Sequence, residues 1–345
     1  MKIYKSIAIK EVNSDFTVDE VPSLPPHVLA EPTNSKYKYT ILHVEKSSFT
    51  TFEVIDILAT NLRIDREGVN CLGLKDEDGI TRQFISVKKE LKQDDLDNLN
   101  EIYNNKNRYI NSRLQGYSKE PLQEKKLHGN VFGVTLRVFT KSEAYKLHDS
   151  IKKSSEHIFV NYYDQQRFGL PGGPFVSHKI GEAIVEDHKD QALKFYIMSG
   201  NAKIDGYHEG SLTTDVFSKL NPKKIDFFVS AYTSYLWNKQ QAQSLAKSEG
   251  ARHIDIFDGY TLPCSPKDAA AVASISKVQG FKYSRTGGVE VYIKARESVI
   301  GTKVYTGAVK PDNLNKGKFK LRLEFFLPTG CYATMAVKQL LATRI

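Results

Sequence analysis

The stretch Phe168-Gly-Leu-Pro-Gly-Gly-Pro174 constrains this chain most, because no regular element can run through it. Glycine weakens helices and strands through its backbone freedom, and proline removes a hydrogen-bond donor while fixing φ. The break closes one set of elements and opens another. The chain has 345 residues, more than the roughly 100–200 of one typical domain, so a second compact unit is expected to begin near this point. Apolar residues make up 40% of the chain, enough to give both units a core without disulfides.

Ahead of the break, short extended runs punctuated by Pro22, Pro25, Pro26 and Pro32 predict a strand followed by an irregular connection. Residues 37–44 are β-branched and aromatic and predict a strand. Thr50 and Glu53 have capping-box spacing, and Ile55, Leu58, Ala59 and Leu62 give the helix after them one apolar face. Residues 69–74 and 80–87 predict two strands joined by a tight polar turn at Lys75-Asp-Glu-Asp-Gly79. Leu96, Leu99 and Ile102 predict a short helix within an otherwise polar segment from Glu90 to Glu120. A strand is expected over 131–139, and a helix from Ser142 that carries Leu147, Ile151 and Ile158 on one stripe.

Beyond the break, helical pattern dominates from Lys179 to Lys247, with Ile225, Phe228, Val229, Tyr232 and Leu236 at helix spacing. Residues 318–326 alternate as a strand, Leu327-Pro-Thr-Gly330 turns it, and a terminal helix follows over 332–341.

Several functional classes lose their signatures. Cys71, Cys264 and Cys331 are odd in number and scattered, which fits neither a disulfide framework nor a zinc site and suits a reducing cytoplasm. The N-terminal residues lack the apolar region of a signal peptide, and no stretch approaches a membrane span. The glycine-rich break lacks the Gly-Lys-Ser/Thr ending of a P-loop, and no His-Glu-x-x-His pair or Gly-x-Ser-x-Gly elbow occurs. Lys plus Arg exceed Asp plus Glu by 49 to 40. That basic excess, clustered at Lys88/Lys89/Lys92, Lys125/Lys126, Lys223/Lys224 and from Lys310 to Arg322, fits either a solvated surface or several segments facing the phosphates of a nucleic acid together.

Three stretches could carry chemistry. Asp76, Glu77 and Asp78 occupy a turn, where acids are common for conformational reasons alone. A calcium loop is disfavoured because Val87 stands where a bidentate Glu is needed. Gly129-Asn-Val-Phe132 places an amide and an aromatic at a strand: Phe132 could be core, or it could stack on an extruded base whose edge Asn130 reads. In Asn161-Tyr-Tyr-Asp-Gln-Gln-Arg-Phe-Gly169, Arg167 could hold a phosphate or pair with Asp164.

In content and order these stretches resemble the TruD family of tRNA pseudouridine synthases. The opening motif is Asp15-Phe-Thr-Val-Asp-Glu20, followed by Val44-Glu-Lys46 and then by Gly73-Leu-Lys-Asp76 with Gly79-Ile-Thr81 and Gln83. Gly129-Asn-Val-Phe132 and Asn161–Gly169 follow. Ala231-Tyr-Thr-Ser234 with Asn238, and Leu327-Pro-Thr-Gly-Cys-Tyr-Ala-Thr334, close the set. Asp164 stands where the family commonly has Gly, Gly79 where Ala is common, and residues 172–178 depart from the usual loop.

The resemblance implies an α+β fold: a V-shaped, two-domain molecule with a mixed, largely antiparallel sheet in a pseudouridine synthase catalytic domain. Residues 1–156 would begin that domain, an α/β TRUD domain would be inserted over 157–305, and 306–345 would complete the catalytic domain. It implies isomerisation of uridine to pseudouridine in tRNA at position 13, with Asp76 as the catalytic carboxylate. Phe132, Asn130, Tyr332 and Gln83 would form the base pocket, and Lys75 or Arg167 would hold RNA or balance the charge of Asp76. Breaking the N1–C1′ bond and remaking it from C5 needs no redox change, so no cofactor and no metal are expected. Attack at C1′, addition at C6 and deprotonation at C2′ all remain open. A monomeric, cytoplasmic enzyme is the expectation. The alternatives are a non-catalytic RNA-binding protein of the same fold and a metal-dependent nuclease with further acids beside Asp76.

Overall fold

The computed structural model describes residues 7–23, 38–123, 126–169, 173–208, 212–249, 253–257, 260–272, 275–284 and 288–345. The irregular connection expected after Pro22 falls almost wholly outside these, as do Lys125 and the centre of the glycine-rich break. The chain divides into two compact units: Met1–Glu156 with Thr302–Gly330, and His157–Gly301 with Cys331–Arg344. The sequence reading assigned the last helix to the first unit, whereas it packs in the second.

The first unit is built on one sheet. In chain order its elements are β1 (Ala8–Ile9), β2 (Phe16–Pro22), β3 (Tyr39–Ser47), α1 (Thr51–Leu62), β4 (Val69–Cys71), β5 (Ile80–Val87), α2 (Asp94–Ile102), β6 (Tyr109–Ser118), β7 (Leu127–Phe139) and α3 (Lys141–Lys153). The strands run in the order β6-β3-β5-β2-β7 and continue to a later strand, Phe319–Pro328. The β2–β5 pair is parallel, and β2 with β7, β3 with β5, and β3 with β6 are antiparallel. The expected mixed, largely antiparallel sheet with helices is therefore present.

Thr50 caps α1 as its spacing predicts: its hydroxyl accepts from Glu53 N–H, and Glu53 accepts from Thr50 N–H. Val54, Ile55, Leu58, Ala59 and Leu62 of α1 bury against Leu42, Val44, Ile85 and Val87 of the sheet. Three expectations need correction. Residues 69–87 are not a tight hairpin, because Cys71 pairs with Ile85 while Ile80–Arg82 pair with β2. A long loop over residues 72–79 results. Ile158 lies on a strand, β8 (Glu156–Val160), because the preceding helix stops at Lys153. The polar stretch after α2 holds β6, an edge strand whose alternation is masked by its exposed polar side chains.

The second unit contains α4 (Ser177–Val185), α5 (Lys189–Met198), the long α6 (Pro222–Lys247), the hairpins β9 (His253–Phe257)/β10 (Tyr260–Pro263) and β11 (Ile275–Ser284)/β12 (Gly288–Glu297), and α7 (Ala333–Arg344). Ile225, Phe228 and Val229 of α6 bury with Ile180 of α4 and Tyr196 of α5. Trp237 and Leu245, further along α6, bury with Val160, Tyr162, Phe168 and Met335. The chain then runs through β13 (Val299–Thr306) and, within the first unit, β14 (Lys310–Pro311) and β15 (Phe319–Pro328), which pairs with β7.

Candidate active site

Directly paired residues of neighbouring strands point to the same face of a sheet. The register here sets Lys46 opposite Thr81, Thr81 beside Val18, Val18 opposite Phe132, and Phe132 opposite Phe325. Two residues along, the same face carries Val44 opposite Gln83, Glu20 opposite Asn130, and Asn130 opposite Leu327. Gln83, Asn130 and Phe132, read separately from the sequence, thus share one face. Gly129 permits the close approach that sets Asn130 there, since a Cβ on it would strike the Leu327 carbonyl oxygen and the Phe326 ring.

The face is apolar under α1 and turns polar at one end, at Lys46, Thr51, Thr81 and Gln83, all buried. The 72–79 loop is tied to that end. The Thr51 hydroxyl accepts from Lys75 N–H at 2.9 Å and donates to Gln83 Oε1 at 3.0 Å. Lys46 Nζ donates to the carbonyls of Phe49 (2.6 Å), Asp76 (2.7 Å) and Lys75 (3.5 Å). Burial lowers the pKa of Lys46 to about 8, against the attraction of Asp76.

With its backbone held from below, Asp76 turns its carboxylate outward. That side chain is 48% exposed and pairs with Lys10 at 3.0 Å. The Lys10 ammonium lies 4.0 Å from the centre of the Phe16 ring, whose own ring packs 5.9 Å from Phe132. Among the described residues, Asp76 is the one acid of Asp76, Glu77 and Asp78 that is ion-paired. An open cleft of about 530 Å³ adjoins the loop, lined by Gly73, Leu74, Lys75, Leu127, Asn130, Thr329 and Gly330.

Lys75 does not pair with Asp76. It turns inward to a buried ion pair with Glu20, whose second oxygen accepts from Phe84 N–H at 2.8 Å. Burial raises the pKa of Glu20, and Lys75 opposes that rise. Gly79, a departure from the common Ala, has a physical reason here: a Cβ would come within 2.7 Å of the Phe16 carbonyl oxygen. Phe132 is 8% exposed and also packs 5.9 Å from Phe325, so both of its sequence readings, core and platform, draw on one ring. Two buried amide atoms on this face, Asn130 Oδ1 and Gln83 Nε2, have no hydrogen-bond partner among the described residues. Such atoms typically cost about 1–3 kcal/mol each unless something satisfies them.

Arg167 and Tyr332 belong to the second unit. Arg167 donates to the hydroxyls of Ser230 and Ser234 and lies 5.3 Å from the Phe227 ring, rather than pairing with Asp164. Asp164 instead accepts from Lys338 at 2.6 Å and from Thr334, fastening its loop to α7. Asn238 of α6 brackets Tyr163, accepting its N–H at 2.8 Å and donating to its carbonyl at 2.9 Å. Tyr332 packs edge-on against Tyr163 at 5.8 Å, and burial pushes its hydroxyl up to about 12.

Sequence reasoning missed Lys10 and the inward turn of Lys46. Lys10 has no local signature, since its partner lies 66 residues away. For Lys46 a signal existed: it occupies an inward position of β3, where a charge among apolar residues must find partners. Among the described residues no cluster of His, Cys, Asp or Glu is arranged to hold a metal ion, and no helix is long and apolar enough to cross a membrane.

A crystal structure from Methanosarcina mazei, described as of a candidate tRNA pseudouridine synthase D (TruD), shares this α+β fold with a TM-score of 0.64 at 20% identity, over 97% of this chain and 93% of that one. The chain belongs to the tRNA pseudouridine synthase D (TruD) family, whose profile matches residues 6–209. The tRNA pseudouridine synthase D of Syntrophotalea carbinolica is 31% identical over 98% of this chain and 96% of that protein. That of Sulfurimonas denitrificans is 24% identical over 97% and 95%. The Methanococcus maripaludis protein "Probable tRNA pseudouridine synthase D 1" is 26% identical over 96% and 98%.

Proposed function

We propose that this protein converts uridine to pseudouridine in tRNA, at position 13, using Asp76 as nucleophile or base on a target base turned out of its stack. The observation that carries this reading is the Asp76 carboxylate: outward-facing, ion-paired with Lys10, and held on a loop fastened from below by Lys46 and Thr51. Lys10 aims the Asp76 carboxylate by donating to it. Asn130 would accept from the uracil N3–H through its partnerless Oδ1, and Phe132 would stack on the ring. Extruding the base typically costs a few kcal/mol, of which an aromatic platform returns about 1–3 kcal/mol.

The N1–C1′ bond breaks, C5 bonds to C1′, C5 gives up its hydrogen as a proton and N1 takes up a proton, with no redox change and no hydrolysis. In this reading the first unit is the catalytic domain and the second the inserted one, and Arg167 holds RNA from there. The protein would act as a monomer in the cytoplasm, free of metal and cofactor, and the basic excess would make tRNA binding weaken with salt.

Incubation with tRNA tritiated at uridine C5, in the presence of a chelator, tests the reading. Tritium release is expected from the unmodified protein and from Asp78→Asn. Asp76→Asn should bind tRNA and release none. An active Asp76→Asn protein would sink the assignment, and binding without release by the unmodified protein would favour a non-catalytic RNA-binding role.

A further inference from the structure

We propose that Lys46 is a positioning residue for the reaction: its buried ammonium clamps the backbone of the Asp76 loop and thereby aims the Asp76 carboxylate. The proposal rests on the reading of Asp76 given above.

The geometry supports a clamp over a packing role. An ammonium has three N–H donors and no acceptor, and Lys46 Nζ faces three carbonyl oxygens, those of Phe49, Lys75 and Asp76. The Phe49 oxygen belongs to the turn that enters α1, and the other two belong to the loop. Lys46 therefore staples the loop to the start of α1, on the side opposite the Asp76 carboxylate. Turning the Asp76 carbonyl down into the protein leaves its side chain to emerge toward Lys10.

A buried charge persists only where its surroundings replace water. The charged groups facing Lys46 are Asp76 and Glu77 of the loop and Glu53 of α1, which favour the ammonium, and Lys75, which opposes it. Its cross-strand neighbours on β5 and β6, Thr81 and Ile110, are neutral. Burial outweighs these and brings the pKa to about 8. A neutral amine offers two donors and a lone pair, and the lone pair would face a carbonyl oxygen. As pH rises through about 8, one clamp bond is exchanged for a repulsion and the loop is released.

The test combines tritium release with hydrogen–deuterium exchange of the loop. In the unmodified protein kcat should fall along an alkaline limb centred near pH 8, with KM changing less than about threefold. Lys46→Met should lower kcat at least about tenfold, lose that limb, and speed exchange over residues 73–79. Lys46→Arg, which keeps the charge, should recover part of the rate and push the limb to higher pH. Glu77→Gln removes an exposed carboxylate that favours the ammonium and should move the limb to lower pH, so it serves even where Lys46→Met fails to fold.

Unchanged loop exchange and kcat in Lys46→Met would overturn the clamp, and so would a limb that Glu77→Gln leaves in place. Absent tritium release from the unmodified protein at every pH would defeat the reading of Asp76 alone. In that case the exchange measurement still decides whether Lys46 holds the loop.

Discussion

Lys10 holds Asp76 from a chain segment 66 residues away, donating to its carboxylate at 3.0 Å while its ammonium rests over the Phe16 ring. The Lys10 backbone is left-handed at φ 66°, which aims a side chain that a regular continuation of β1 would send elsewhere. Both partners are partly solvated, at 23% and 48% exposure, so the pair adds at most about 1 kcal/mol to stability. Its value lies in the direction it gives the Asp76 carboxylate. Lys10→Met should unfold within a few degrees of the unmodified protein, while tritium release falls roughly ten- to hundredfold, the worth of one charge-assisted hydrogen bond of about 1.5–3 kcal/mol. Equal turnover in the two proteins would remove Lys10 from the site.

Phe132 poses a question of separation, because its ring packs against Phe16 and Phe325 and could also stack on a base. Phe132→Ala would confuse the two, since emptying such a site typically costs about 3–5 kcal/mol of stability. Phe132→Leu keeps most of the volume and should cost under about 2 kcal/mol. Loss of a stacking platform worth about 1–3 kcal/mol should then appear as roughly 5- to 150-fold slower release at temperatures where the variant is folded. Urea titration beside single-turnover kinetics distinguishes the roles, and a loss of rate no larger than the loss of folded protein would leave Phe132 to the core.

Local signals were the legible ones. The Thr50/Glu53 capping box, the apolar stripe of α1 and the long α6 are written in contiguous residues, and they fold as read. The site is different. Gln83, Asn130 and Phe132 come together only through the register of β2, β5 and β7, which depends on pairings far apart in sequence. The parallel β2–β5 pairing also turned an expected hairpin into a loop, and no local spacing announces a parallel neighbour. Lys75 stands next to Asp76, yet it points away because Glu20 lies buried behind it. Adjacency in sequence suggested the wrong cation, and only tertiary structure supplies Lys10.

At the other end of β7, Arg137 joins Asp15 at 2.7 and 2.8 Å and Asp312 at 2.5 Å, with all three side chains buried. Burial works against charge on Asp312, but the Leu314 N–H, Asn315, the Val138 N–H and Arg137 outweigh it and lower its pKa from 3.8 to about 2. A lowered carboxylate pKa gives stability that is present above the unfolded value and lost as pH falls toward the folded one. Arg137→Met leaves two buried carboxylates without their cation and should cost about 3–5 kcal/mol at pH 7. The gap should narrow below pH 3.8, because the variant keeps the Leu314 N–H, Asn315 and Val138 N–H but, without Arg137, holds the proton off Asp312 less strongly. Urea midpoints at pH 7 and pH 3 check both parts, and a gap of constant size would show that Asp312 does not carry the coupling.

Glu20 and Lys75 give the opposite sign. Burial raises the pKa of Glu20 above 4.5 despite Lys75, so the native state keeps that proton to higher pH than the unfolded chain does. The stability from this group is full below about 4.5 and declines as pH rises through the folded value. Lys75→Met removes the opposing cation and should extend the decline upward, making the variant weaker at pH 8 than at pH 5 relative to the unmodified protein. Adding Glu20→Gln should return much of the loss, with a coupling above about 0.5 kcal/mol in a double-mutant cycle. The same variant settles whether Lys75 touches RNA. With its side chain 6% exposed and its ammonium paired with buried Glu20, Lys75 is already committed, so the salt dependence of tRNA binding should keep its slope. A slope smaller by about one would mean that Lys75 leaves Glu20 for the RNA backbone when tRNA binds.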